Sequence, residues 1–236
     1  MEQLVARSAH NREVAGSSPA AAIAVRVQHH PARDALLPPL LADLPGAEVV
    51  ADPQPERERN PWRTYRACLE RPLPAGATHL LVLQDDVRLC RNFLPAVELL
   101  AGEEPLALFL GGAPQHSARN ALAKPRYSIV PLHAASFVPV VALLWPRAHL
   151  ESVLSWLETA KLPGGSAAKS DDAIIGRWSR KTRTQVFATT PSLVEHPDES
   201  ESLIGKKAGA GRIVWRVAHH WIGPEADPLA QEWTRV

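Results

Sequence analysis

The chain has 236 residues, of which 45% are apolar and 22% are charged. This length and composition predict one large domain, or one domain with appendages, and exclude collagen-like, fully disordered and coiled-coil chains. Lys and Arg number 26 against 25 Asp and Glu, so the net charge of +1 excludes a globally cationic nucleic-acid binder but not a local basic patch.

The first twenty residues differ from the rest of the chain. They are polar and lack the apolar core of about 7–15 residues that a secretory signal needs, so we expect a disordered N-terminal segment. The run ARSAHNREVAGSSPA resembles the translation of a bacterial transfer-RNA gene region. This resemblance favours a misassigned start, or a gene beside a transfer-RNA locus, where phages often integrate.

From residue 21 to residue 110, short apolar runs alternate with helical patterns. Strands are predicted at 22–28, 47–51, 78–83 and 106–110, and helices at 33–44, 61–70 and 92–102. Pro38 and Pro39 are expected to break or kink the first helix, whereas Pro61 takes the first position of the second, where its missing N–H costs least. The pattern predicts an α/β fold with a mostly parallel, mixed sheet flanked by helices.

The second half is less regular. Strands are predicted at 128–132, 137–145 and 184–188, and an amphipathic helix at 148–160. A loop rich in Gly, Pro and Ser at 162–168 precedes Ser170, which we expect to cap a helix beginning with Asp171 and Asp172. We expect a single domain over 21–223 and a C-terminal tail over 224–236, which either packs through Trp233 or extends into solvent.

Polar residues follow several of these strands. The pairs and triplets concerned are His29-His30, Gln84-Asp85-Asp86 and Gly111-Gly112. In open α/β sheets, ligands bind outside the carboxyl ends of the strands. The sequence therefore predicts that these residues converge on one rim of the sheet.

Asp85 and Asp86 form the sharpest of these motifs. Adjacent carboxylates repel each other unless water or a cation offsets their charge, and Mg²⁺ and Mn²⁺ prefer oxygen ligands and can bridge to a diphosphate. The doublet therefore predicts either a divalent-ion site or an ordinary solvated Asp-Asp turn.

Two later motifs add candidate groups. One acid of Asp171-Asp172 is accounted for by its favourable position at a helix N-terminus, which leaves the other as a candidate general base. His196, in PSLVEH, is either a surface or core histidine or a ligand, and its imidazole suits Mn²⁺ better than Mg²⁺.

The segment 205–223 carries Lys206, Lys207, Arg212 and Arg216 and no acid. Its glycines are typical of a loop that closes over a diphosphate and stabilises the charge of a leaving group. The P-loop pattern GxxxxGK[ST] is absent. The alternative is a basic surface segment.

In this order, LVLQDDV, SDDAIIG and PSLVEH…SLIG resemble the motifs of the GT-A-fold glycosyltransferases. The resemblance covers residues 21–223 and implies that Asp86 and His196 hold Mn²⁺ or Mg²⁺. It also implies that Asp172, or Asp171 beside it, deprotonates the acceptor hydroxyl with inversion at the sugar. The departure is Gln84, which stands where the family has the first acid of its DxD triplet, and it leaves open whether Asp85, Asp86 or both contact the metal.

The same resemblance implies a nucleoside-diphosphate sugar as donor, bound over the first half of the sheet. The donor-binding residues that it implies are His29, His30, Arg33, Trp62, Arg63, Gln84, Asp85, Lys206 and Lys207. In this arrangement an arginine pairs with phosphate, an aromatic ring stacks on the base, and the lysines offset the charge of the diphosphate.

The acceptor is the least determined part of this hypothesis. The basic excess of the chain falls in residues 161–223, so an anionic acceptor such as hydroxymethylated pyrimidine in phage DNA stands beside a glycan or glycolipid hydroxyl. Alternative functions are a metal-dependent nucleotidyl- or phosphoryl-transferase and a non-catalytic module that binds nucleotides or nucleic acid.

Two further expectations concern the environment of the protein. Cys68 and Cys90 are too few for a disulfide scaffold or a four-cysteine zinc site, and reduced core thiols of a cytoplasmic protein are expected. No apolar run reaches the roughly 18 residues of a transmembrane helix, so no membrane span is expected.

Overall fold

The computed structural model describes residues 21–58, 60–111, 127–132, 138–162, 170–197, 218 and 220–236. The helices are α1 (Leu37–Ala42), α2 (Pro61–Glu70), α3 (Phe93–Leu100), α4 (Arg147–Thr159) and α5 (Asp171–Thr182), with 3-10 helices at Pro31–Leu36 and Pro228–Ala230. The strands are β1 (Ile23–His29), β2 (Glu48–Ala51), β3 (His79–Gln84), β4 (Arg88–Leu89), β5 (Leu106–Ala107), β6 (Ser128–Leu132), β7 (Ala142–Pro146), β8 (Val186–Thr190), β9 (Val194–Glu195) and β10 (Thr234–Arg235).

Within the described residues, eight strands form one mixed sheet in the order β10-β6-β8-β5-β7-β3-β1-β2, and β4 pairs with β9 in a separate two-stranded sheet. Strands β1, β2, β3, β5 and β8 run in one direction, because β1 is parallel to β2 and β3, β5 is parallel to β8, and β7 is antiparallel to β3 and β5. The prediction of an α/β fold with a mostly parallel mixed sheet flanked by helices is confirmed. The carboxyl ends of these five strands meet at one edge.

Apolar side chains alternate between the two faces of the sheet, as the pleat requires. Leu80 and Val82 of β3 pack in one hydrophobic cluster with residues of α2, α4 and α5, while Leu81 and Leu83 pack in a second cluster with residues of α1 and α3. Strand β3 is therefore covered on both faces, which explains why its sequence shows no alternation of polar and apolar residues.

The region predicted as one strand at 137–145 forms a ladder only from Ala142 onward. Val138 and Val140 are buried, but their N–H groups donate to the backbone oxygen of Asp172 at 3.3 Å and to Asp172 Oδ1 at 3.1 Å. The apolar pattern correctly indicates that this segment is buried. Its backbone N–H groups, however, bond to the N-terminus of a helix and not to a neighbouring strand. Likewise β5 is shorter than predicted, because the Leu108 carbonyl accepts from Leu193 N–H at 2.9 Å.

The region predicted as a helix at 33–44 divides at Leu37. A 3-10 helix covers Pro31–Leu36, and α1 follows with Pro38 and Pro39 in its first turn. A proline is tolerated there because the N–H that it lacks has no partner within the helix. The two prolines therefore lie at the start of a second helix.

The C-terminal residues pack against the domain. Strand β10 pairs with β6 at the edge of the large sheet, and the Trp233 ring lies 5.3 Å from that of Tyr127. Trp233 Nε1–H donates to the carbonyl of Pro228 at 3.0 Å. Of the two behaviours predicted for the tail, the structure has the packed one.

In the described parts of the chain, no helix combines the length and apolar character needed to cross a membrane. The predicted N-terminal segment 1–20, Gly112 and most of the basic segment 205–223, including Lys206 and Lys207, lie outside the described residues.

Candidate active site at the carboxyl ends of the strands

The register of β1 against β3 brings two predicted motifs together. Gln28 lies opposite Gln84 in this parallel pair, so the residues that follow each strand leave the sheet at the same edge. His29 and His30 therefore lie beside Asp85 and Asp86, as the strand-end rule predicts.

The carboxylate of Asp85 is surrounded by N–H donors. His30 N–H donates to Oδ2 at 2.9 Å, His29 Nδ1 lies 2.9 Å from the same oxygen, and Arg33 Nη1 donates to Oδ1 at 2.9 Å. The side chain is only 2% exposed. Asp85 thus joins the end of β3 to the end of β1 and to the 3-10 helix that follows β1.

Asp86 lies between the guanidinium of Arg33 and the imidazole of His196. Its Oδ2 is 2.7 Å from Arg33 Nη1 and 3.1 Å from His196 Nε2, and its side chain has no exposed surface. One guanidinium nitrogen therefore contacts both carboxylates of the doublet. At 2.7 Å and with little solvent at the site, the charges of Arg33 and Asp86 attract each other strongly.

The position of His196 follows from the small second sheet. Arg88 of β4 pairs with Glu195 of β9, so the residue after β9 lies beside the turn that joins β3 to β4. Glu195 Oε1 accepts both His196 N–H at 2.8 Å and Ala218 N–H at 2.7 Å. The backbone on either side of the segment 198–217 is thereby held next to His196.

Two residues of this site are suitable ligands for a divalent ion. Asp86 and His196 supply a carboxylate and an imidazole that already lie together, and these are ligands that Mn²⁺ accepts. Asp85 fits less well, because both of its oxygens accept hydrogen bonds within the protein. Among the residues that the structure describes, no group of three or more His, Cys, Asp or Glu side chains is arranged to hold a metal.

Helix α5 begins at the same end of β1. Ser170 caps it by accepting Ala173 N–H at 3.3 Å, as predicted. Asp171 is buried, and burial raises the pKa of its carboxyl to about 6, although hydrogen bonds from Asp172 N–H and from the side chain of Gln28 oppose the shift. The contact with Gln28 places the first acid of α5 next to the end of β1.

Asp172 is half-buried, and its contacts differ from those of Asp171. Its Oδ1 accepts Val140 N–H and its backbone oxygen accepts Val138 N–H, so it joins α5 to the segment before β7. The helix is capped by Ser170, and Asp172 N–H donates to Asp171 Oδ1 at 3.0 Å. Of the two acids, Asp172 is the one with solvent exposure.

The predicted donor-binding residues near β1 are placed in different ways. His29 is buried between Asp85 and Asp34, whose Oδ1 lies 2.8 Å from Nε2. His30 Nδ1 accepts Ala32 N–H at 3.2 Å, and its buried Nε2 has no hydrogen-bond partner among the described residues. Gln84 is half-buried at the end of β3.

Trp62 and Arg63 lie on α2. Trp62 is a core residue whose ring stacks on that of Tyr65 at 6.3 Å, so it presents no open face to a base in this structure. Arg63 forms a two-point contact with Asp52, with both N–O distances at 2.6 Å. Burial alone would raise the pKa of Asp52, but hydrogen bonds from Arg63 and Gln54 N–H outweigh it, and the pKa lies below its ordinary value.

Two residues of this edge were missed by sequence reasoning. Asp52 directly follows β2, and its N–H donates to the carbonyl of His29 at 2.8 Å, so the strand-end rule applied to β2 would have found it. Gln28 lies inside the predicted first strand, where a polar residue in an apolar run was the available signal.

Comparison of the sequence with protein-family models and with curated proteins finds no match in either case.

Proposed function

We propose that the protein is a GT-A-like glycosyltransferase that moves a sugar from a nucleoside-diphosphate sugar to an acceptor hydroxyl with the help of Mn²⁺ or Mg²⁺. The observation that carries this proposal is the contact of Asp86 with His196, which are far apart in the sequence, at 3.1 Å. It lies at the carboxyl ends of parallel strands, where such folds bind ligands, and the acids of α5 lie at the end of the same sheet.

In this proposal, Asp86 and His196 hold the divalent ion. When bound, the ion offsets negative charge on the diphosphate as the bond to the sugar breaks. Lys206 and Lys207 are assigned the same electrostatic role from the sequence. Asp85 has a positioning role, because its oxygens hold the end of β1 and Arg33.

Asp172 is the proposed general base, and Asp171 supports it. A base must reach the acceptor hydroxyl, and Asp172 retains solvent exposure while Asp171 is buried. The hydrogen bond from Val140 N–H holds the Asp172 carboxylate in place. Asp172 takes the proton of the acceptor hydroxyl as its oxygen attacks the anomeric carbon, the bond from that carbon to the diphosphate oxygen breaks, and the nucleoside diphosphate leaves with inversion at the sugar.

The first experiment is a thermal-shift panel of nucleotides and nucleotide-sugars with and without Mn²⁺. Stabilisation by one nucleoside-diphosphate sugar, greater with Mn²⁺ than without it, is expected and identifies the donor. Turnover of that donor should release a nucleoside diphosphate. Release of pyrophosphate or a nucleoside monophosphate would instead indicate a nucleotidyl- or phosphoryl-transferase, and the absence of any turnover would favour a binding module.

Asp172→Asn tests the base. The amide oxygen of asparagine can still accept Val140 N–H, so the fold is expected to survive while sugar transfer falls by about 100-fold or more. Asp43→Asn, at an exposed acid at the end of α1, is the matched control. Near-normal transfer by a folded Asp172→Asn protein would refute this role.

For the acceptor, we propose a glycan hydroxyl. Arg180 and Lys181, in the last turn of α5, and Arg183, directly after the helix, are exposed, whereas Arg177 in its middle is half-buried and the acids lie in its first turn. Arg180 follows Asp172 by eight helical residues, about 12 Å along the helix axis, so this exposed basic group does not adjoin Asp172. Salt-sensitive binding of duplex DNA in an electrophoretic shift assay would favour a DNA acceptor instead.

A further inference from the structure

We propose that Arg33 competes with the divalent ion for Asp86, so that the ion binds when Arg33 leaves this carboxylate. The inference deepens the proposed function and rests on it for the ion. It assigns to Arg33 a role that neither the strand-end pattern nor the resemblance indicates. Arg33 would be the cation that occupies the carboxylate pair whenever the ion is absent.

The contacts of Arg33 carry this proposal. A single nitrogen, Nη1, lies 2.9 Å from Asp85 Oδ1 and 2.7 Å from Asp86 Oδ2. The arginine side chain is 13% exposed, and the two carboxylates are almost fully buried. Because the surroundings screen these charges poorly, a second cation at the same place would meet strong repulsion.

The competition is centred on one oxygen atom. Asp86 Oδ2 is shared by Arg33 Nη1 and His196 Nε2, the second member of the proposed donor set. An ion bound to that oxygen would lie about 2.1 Å from it, close to a guanidinium that cannot lose its proton. Arg33 and the ion therefore cannot both contact Asp86 Oδ2 at low cost.

The local structure allows Arg33 to move. It belongs to the 3-10 helix Pro31–Leu36, which has no buried residue, and its own φ of −120° and ψ of 20° are not helical. Displacing this short element would disturb little of the hydrophobic core. Once displaced, the guanidinium would be available to the diphosphate of the donor, which is the role that the resemblance implies for it.

The experiment measures Mn²⁺ binding alone, by calorimetry and by electron paramagnetic resonance of the free ion. Arg33→Ala is expected to bind Mn²⁺ about tenfold more tightly than the unmodified protein, or better, because the competing charge is gone. Arg33→Lys keeps one positive charge on a side chain of different length, so its Mn²⁺ affinity should lie between those of the unmodified protein and Arg33→Ala. Arg66→Ala, which removes an exposed arginine of α2, is the charge-matched control and should leave Mn²⁺ affinity unchanged.

Circular dichroism establishes that each variant is folded. Adding Asp86→Asn to Arg33→Ala should abolish the tight binding of Mn²⁺. If Arg33→Ala does not fold, the comparison is made with Arg33→Lys, which should then bind Mn²⁺ more tightly than the unmodified protein. Equal or weaker binding by the folded Arg33 variant overturns the competition while leaving the proposed metal site intact. Absence of Mn²⁺ binding in every variant overturns both.

Discussion

Asp85→Asn tests whether the first acid of the doublet holds this edge of the sheet together. The carboxylate receives three N–H groups, from the His29 ring, the His30 backbone and the Arg33 guanidinium. Asparagine has one acceptor oxygen, and its NH₂ group must face at least one of these donors. A buried donor without an acceptor costs about 1–3 kcal/mol, so we expect the free energy of unfolding to fall by about 2 kcal/mol.

For a chain of this size, that loss corresponds to a fall in melting temperature of about 4–8 °C. Urea denaturation followed by far-ultraviolet circular dichroism gives the free energy of unfolding, and an unchanged m-value shows that the denatured state is the same. Asp85→Ala should cost more, about 3–5 kcal/mol, because all three N–H donors lose this acceptor.

The exposed Asp43 again provides the control, since Asp43→Asn is expected to change stability by less than about 0.5 kcal/mol. If Asp85→Asn costs no more than this control, the three contacts to Asp85 contribute nothing to stability. Asp85 would then have to be assigned to ligand binding.

Two further predictions concern buried titratable groups. The pKa of Asp171 is raised to about 6 from an ordinary value of 3.8, so the folded state holds this proton more tightly than the unfolded chain does. The contribution of Asp171 to the free energy of unfolding therefore falls as pH rises from about 4 to about 6. Asp171→Asn should remove that fall in urea titrations across this range, and parallel profiles for the two proteins would contradict it. Burial raises the pKa of both Cys68 and Cys90 to about 12, so neither thiol should react with a thiol reagent at pH 8 until urea unfolds the protein, and rapid labelling of the native state would show that one is accessible.

Several features of the fold and site follow from local pattern. Helix α2 begins at Pro61 and ends at Glu70 as predicted, because Asn60 accepts Arg63 N–H and proline suits the first turn. Strand β3 was recognisable as buried on both faces, and the placement of Asp85 and Asp86 after it needed only the rule for strand ends.

Other features depend on contacts between distant segments. The run at 138–140 is as apolar as a strand, but the hydrogen-bond acceptor of its N–H groups is Asp172, which is distant in the sequence. The resemblance implies Trp62 as a platform for a base, whereas the structure places its side chain in the hydrophobic core. A residue type does not report which face of a helix is covered, since that depends on the neighbouring elements.

The α/β class, the order of the main elements and the polar groups at the ends of β1 and β3 can be predicted without the structure, because hydrophobic periodicity and turn residues are local properties. Only in the folded chain is Asp85 enclosed by donors, His196 in contact with Asp86, and Arg33 in contact with both acids of the doublet. The residues in these contacts are far apart in the chain. Strand register and the pairing of β4 with β9 bring them together. Charge balance at a buried site is set by such neighbours in space, and a balanced total charge for the chain carries no information about it.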